Sequence, residues 1–263
     1  MKNNLNYLIF FLFVLTSCTN AGNTENTQRP KSNDWINTKD IPADICYVLC
    51  DFSASQGNKS RQTIRQNAIS IYQSAATKCK IRFYDINAPQ LEGPFFEFPD
   101  LLKNVQKPSQ RKIMKAKAHA QKDTLDLLIS NRMNTISKST CIIKALDMVA
   151  ASLKKQAAQY KDQRISVVIL SDMLEDCNFD FGRINIDKGN FREADRVLAT
   201  MPNPPYTFKG YKNLSLAFAA SSTRTDINMT SLNNFWKQVL KKYEYDSPDP
   251  ITPELPAWAE TNH

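Results

Sequence analysis

The six residues Ile45 to Cys50 (ICYVLC) form an unbroken apolar run of strand-favouring side chains between polar neighbours. A strand with one wet face alternates apolar and polar positions. A continuous run of this length is therefore expected to be buried on both faces, as the central strand of a parallel sheet is. Such a strand requires helices above and below it, and that requirement constrains the rest of the chain.

The segments that follow meet it. Lys59 to Ala76 carries Ile64, Ala68, Ile71, Tyr72 and Ala75 at helical spacing, and Cys79 to Ile86 alternates like a strand. Ser139 to Tyr160 places Ile142, Ile143, Leu146, Val149, Ala150 and Leu153 on one side of a helix, ahead of a second fully apolar strand from Arg164 to Leu170. Phe191 to Met201 reads as a helix, Leu214 to Ala220 as a strand and Ser231 to Tyr243 as a closing helix. This alternation, joined by right-handed crossovers, predicts a doubly wound α/β domain with a mostly parallel open sheet and helices on both faces. Ligands of such sheets bind outside the carboxyl ends of the central strands, which directs attention to the residues after Cys50 and after Leu170.

With 263 residues, 42% of them hydrophobic and 23% charged, the chain suits one domain with tails. The amino end has Lys2, an apolar run from Leu8 to Leu15 and then Thr16, Ser17 and Cys18, the order of an export signal and too short to span a bilayer. Leu15-Thr16-Ser17-Cys18 resembles the lipobox of bacterial lipoproteins. That resemblance implies a signal peptide over 1–17, acylation of Cys18, and a protein of the cell envelope anchored to a bacterial membrane, periplasmic or surface-facing. Residues 18–42 are rich in Asn and Thr and nearly free of aliphatic side chains, so they read as a flexible tether. The domain is expected over 43–244. The acidic, Pro-rich tail over 245–263 is expected to be irregular, with Trp258 available to strap it to the body.

Six cysteines minus an acylated Cys18 leave an odd number, so at least one is a thiol. Cys46 and Cys50 lie on one strand, where four residues separate them by roughly 13 Å, beyond disulfide reach. Cys46 with Cys79 and Cys141 with Cys177 are pairs that could form, and buried apolar thiols are the favoured reading. Without a C-x-x-C or a histidine near a cysteine cluster, metal ligation by Cys is not expected.

After the first strand stand Asp51, Ser53 and Ser55. After the later strand stand Ser171 and Asp172, and Thr140 opens the helix that leads into it. All carry short oxygen donors of the kind that Mg²⁺ prefers. This arrangement resembles the metal-ion-dependent adhesion site of von Willebrand factor A domains, a Rossmann-like family. The pattern D-x-S-x-S matches Asp51, Ser53 and Ser55, and the family's Thr, with Ala-Leu five and six residues on, matches Thr140 with Ala145 and Leu146. Its strand-ending Asp matches Asp172, and the closing helix Leu232-Asn233-Asn234-Phe235-Trp236 also resembles family members. Three features depart from the pattern: Met173 stands where Gly usually follows the Asp, Ser139 stands where Gly usually precedes the Thr, and the stretch Ala88 to Lys138 is long.

The resemblance implies Mg²⁺ or Mn²⁺ held by Asp51, Ser53, Ser55, Thr140 and Asp172. The hydroxyls would be direct or near-direct ligands, and the carboxylates would hold the cation's waters or bind it themselves. It further implies a protein partner that offers a Glu or Asp to the metal, and Asp51→Ala is expected to abolish that binding while leaving the fold. The same residues also suit helix caps and turns, which would make the protein a metal-free structural scaffold.

Residues 103–122 contain no acid, and Lys107, Arg111, Lys112, Lys115, Lys117 and Lys122 crowd an expected basic helical insertion over about 100–135. It supplies much of the +8 charge. Such a helix either faces solvent, or lies against anionic lipid headgroups or an acidic partner; nucleic acid is not expected. The aromatic run Gly93 to Pro99 reads as core packing or as a partner-contacting loop.

The chain is not expected to be an enzyme. It lacks the nucleophile elbow G-x-S-x-G, the P-loop and G-x-G-x-x-G, and neither His119 nor His263 sits beside a nucleophile. The surviving catalytic alternative is a Mg²⁺-dependent phosphatase-like enzyme with Asp51 as nucleophile and Asp172 on the metal, although Ser53 stands where such chemistry usually has a second acid.

Overall fold

A computed structural model describes residues 44–259 except 77–78, 88–92, 100–106, 136–138, 161, 180, 182–184, 186–187, 221–227, 247–249 and 253–254. The signal-like segment, Cys18, the tether and His263 lie outside the described residues. No helix among the described residues is long and apolar enough to cross a membrane.

The protein is an α/β fold built on a six-stranded sheet of order β3-β2-β1-β4-β5-β6. The strands are β1 (Ile45–Cys50), β2 (Lys80–Asp85), β3 (Phe96–Phe98), β4 (Ile165–Ser171), β5 (Leu214–Ala220) and β6 (Ile251–Thr252). All neighbours run parallel except β2 and β3. As its continuous apolar pattern requires, β1 is central and fully buried, in register with β2 on one side and β4 on the other.

The helices are α1 (Gly57–Ala75), α2 (Pro108–Asn134), α3 (Ile142–Lys155), the single turn α4 (Ala157–Tyr160), α5 (Phe191–Thr200) and α6 (Met229–Lys242). Strand residues alternate between two cores. Tyr47, Leu49, Val167 and Ile169 face α3, α5 and α6, whereas Cys46, Val48, Val168 and Leu170 face α1 and α2. Helices thus cover both faces, and the doubly wound architecture follows.

Three features depart from the sequence reading. The expected long helix from Ser139 begins only at Ile142, because Thr140 and Cys141 are not helical and the Cys141 amide bonds to Ile86 O at 2.9 Å. The aromatic run packs into the core, one of its two expected readings, but does so as edge strand β3, whose Phe96 and Phe98 set their rings edge-on against Tyr72 of α1. The tail is not wholly irregular: β6 extends the sheet, and a 3₁₀ turn at Ala257–Ala259 lies against α1 with Trp258 buried, where Ser70 donates to Ala259 O.

The basic segment forms helix α2 over Pro108–Asn134. From Ala118 onward it docks on α1 through Ala118, Leu125 and Ile129 and through a bidentate Arg65–Asp126 pair at 2.6 Å. The cysteines are split: Cys141 and Cys177 form a disulfide, against the expectation of buried thiols, while Cys46, Cys50 and Cys79 are buried thiols as expected.

Candidate functional site

From β1 the chain crosses through α1 to β2 on one side of it. β4, reached through α3, lies on the other side. The direction of strand order therefore reverses between β1 and β4, and their carboxyl ends form the crevice where such a fold receives ligands. Asp51 leaves β1 there, its amide bonding to Leu170 O at 3.0 Å, and Ser171 ends β4 beside it.

The Asp51 carboxylate is the hub. Oδ1 accepts from the Ser53 amide at 3.0 Å, Asn87 Nδ2 at 2.7 Å and Thr140 Oγ1 at 3.2 Å. Oδ2 accepts from Gln56 Nε2 at 2.8 Å, Ser171 Oγ at 2.7 Å and, in a shared geometry, Thr140 Oγ1 at 3.2 Å. Thr140 Oγ1 also lies 3.1 Å from Ser53 Oγ. A threonine hydroxyl has one proton, so these Thr140 contacts alternate, and lone pairs on both hydroxyls remain to accept.

Of the five residues singled out by sequence, Asp51, Ser53 and Thr140 are in mutual hydrogen-bond contact and wholly buried. Asp172 is buried at the same end of the sheet, directly after Ser171, and its Oδ1 accepts from the Leu174 amide at 3.1 Å. Ser55 belongs to the 3₁₀ turn Ala54–Gln56, and its side chain lies outside the described residues.

The sequence reading missed Asn87 and Gln56. Asn87 follows β2 and is held on several sides: its amide donates to Asp85 Oδ1 and its side chain to Ser139 O, both at 3.0 Å, besides Asp51. Gln56 is reached by the 3₁₀ turn folding back over Asp51. Its position directly after the alternating segment Cys79 to Ile86 was the available signal for Asn87; no comparable signal marks Gln56.

A second missed group fixes the segment carrying Thr140. Glu175 is fully buried. Its Oε2 accepts from the Ile143 amide at 3.0 Å, at the start of α3, and its Oε1 accepts from the Cys177 and Asn178 amides, each at 3.1 Å. Burial pushes this carboxyl up to about 7, against the downward pull of those amides. Thr140 O in turn accepts from the Asp176 and Cys177 amides, and the Cys141–Cys177 disulfide closes the same junction.

Met173, at the position where the resembling family has Gly, has φ 67°. The backbone here is left-handed without glycine. Met173 is buried, its carbonyl accepts from Trp236 Nε1 at 3.1 Å, and its amide donates to Ser171 Oγ at 3.0 Å.

Among the described residues, no three His, Cys, Asp or Glu side chains gather as a metal-binding group. The cluster is instead one of hydroxyls around a carboxylate. Asn87 and Gln56 bring amide nitrogens to it, whereas the side chains singled out by sequence carry only oxygens, the donor type that Mg²⁺ and Mn²⁺ prefer. No protein-family model matches the chain, and comparison with curated proteins gives no match.

Proposed function

We propose that the chain is a lipid-anchored, von Willebrand factor A-like binding protein of the bacterial cell envelope, attached through Cys18. Its Asp51 cluster would hold a divalent cation, Mg²⁺ or Mn²⁺, to which a partner protein offers a Glu or Asp. The observation that carries this reading is the convergence of Asp51, Ser53 and Thr140 at the topological switch point, with Asp172 directly following Ser171, which bonds to Asp51. Asp51 supplies negative charge and aligns the hydroxyls, while Ser53 and Thr140 would offer the nearest lone pairs and Ser55 is the further ligand that the resemblance implies. A cation held by few charged ligands keeps positive character and attracts an outside carboxylate.

The saturation of Asp51 by protein donors argues against the phosphatase-like alternative, whose nucleophile needs an oxygen free to attack. The same observation favours a second reading, in which the network is a metal-free clasp in a scaffold lipoprotein. Water-proton relaxation with Mn²⁺ separates the two. The binding reading expects enhanced relaxation from chain-bound Mn²⁺ that falls when a Glu-containing peptide displaces coordinated water; the scaffold reading expects no enhancement at all.

A further inference from the structure

The first ten residues of α2, 108–117, are exposed or only partly covered, and Ala118 is the first buried side chain of the helix. At 1.5 Å per residue, about 15 Å of helix precedes the docked portion. Two properties of this helix coincide. Lys107, Lys112, Lys115 and Lys117 form no ion pair among the described residues, and no acid occurs over residues 103–122. In addition, Ile113 and Leu127, 63% and 62% exposed, are the most exposed large apolar side chains among the described residues.

Both lie on the outward face. Ile113, Ala116, Ala120 and Leu127 follow a helical spacing opposite the docked Ala118, Leu125 and Ile129, with Lys112 and Lys117 to either side of the stripe. Asp123 interrupts the stripe beyond the basic run. An apolar stripe flanked by lysines is the pattern of a helix lying in a membrane interface: the apolar side chains enter the headgroup boundary and the ammonium groups reach the phosphates.

We propose that the outward face of α2 docks on an anionic lipid bilayer. Charge complementarity selects this occupant, since an array of unpaired lysines without interspersed acids matches a surface of like negative charges. This inference does not depend on the cation site, and it places a second contact with the membrane some distance along the chain from Cys18.

The test uses the full chain with an environment-sensitive fluorescent amino acid at Ile113 and, separately, at exposed Tyr206 as a control. Each is mixed with vesicles of phosphatidylcholine alone or of equal parts phosphatidylcholine and phosphatidylglycerol. The expected result is a blue shift at position 113, and not at 206, in the anionic vesicles only. High salt should reverse it, as should the combined Lys112→Glu, Lys115→Glu and Lys117→Glu variant, which is expected to weaken α2 docking by at least about a hundredfold. Equal emission at 113 in both vesicle types, or an equal shift at 206, would overturn the proposal. So would a shift that acidic polypeptide produces and anionic vesicles do not, because the occupant would then be a protein.

Discussion

The Ser171 hydroxyl donates to Asp51 Oδ2 across 2.7 Å, fastening the carboxyl ends of β1 and β4 to each other. Because Asn87 from the end of β2 and Thr140 from the approach to α3 bond to the same carboxylate, one side chain ties together four segments that meet at the switch point.

The first prediction concerns that duty. Asp51→Ala removes the acceptor from the buried donors of Asn87, Gln56, Ser171 and Thr140, and an orphaned buried donor costs about 1–3 kcal/mol. Some will find other partners, so a net loss of roughly 3–5 kcal/mol is expected, visible as a melting temperature lower by about 10 °C. Thermal denaturation by circular dichroism checks it. A variant as stable as the parent would show that the network is energetically idle.

Asp51 illustrates how far the sequence was legible. The switch-point architecture could be read because β1, β4 and β5 are apolar runs whose burial on two faces leaves no other assignment. From that architecture the residues after Cys50 and after Leu170 became candidates, and the family resemblance added Thr140. Gln56 and Glu175 could not be read, because a polar side chain becomes a buried partner only once a turn folds it inward, and turns carry no periodicity. The short edge strands β3 and β6 span too few residues for alternation to register. The disulfide was ambiguous because a spacing of 36 residues fixes no distance in space.

Met173 sets two effects against each other. Glycine at φ 67° would relieve left-handed strain of about 1–2 kcal/mol. Removing the fully buried methionine side chain costs about 2–5 kcal/mol. The cavity term wins, so Met173→Gly is expected to destabilise the protein in urea titration; a higher midpoint would mean that backbone strain dominates.

Reducing the Cys141–Cys177 bond with a dithiol should act on Thr140, its immediate neighbour. The 36-residue separation gives the crosslink a chain-entropy contribution of about 4 kcal/mol. Reduction is expected to lower stability by up to that amount and to speed amide exchange at residues 140–143 and 175–178 before the rest of the sheet. Uniform exchange across the domain would contradict a local role.

Glu175 makes stability depend on pH. Its folded value of about 7 lies above its ordinary 4.5, so between these pH values the folded chain holds more protons than the unfolded one. The contribution of this group is therefore fully present below pH 4.5, is lost as pH rises to about 7, and is constant above. Its size is on the order of a few kcal/mol. Glu175→Gln should flatten that part of the curve; an unchanged slope in equilibrium unfolding measured across pH 4.5–7.5 would assign it to other groups.

The proposed function turns on a divalent-cation site centred on the Thr140 and Ser53 hydroxyls beside Asp51. It is tested most directly by calorimetric titration of Mg²⁺ and Mn²⁺ into the full chain in detergent, beside Thr140→Val, which keeps the side-chain shape and deletes the hydroxyl. Saturable binding by the parent is expected, weakened at least about tenfold in the variant, the effect of losing one ligand worth about 1.4 kcal/mol. No heat of binding in the parent, or equal binding by both proteins, would contradict it.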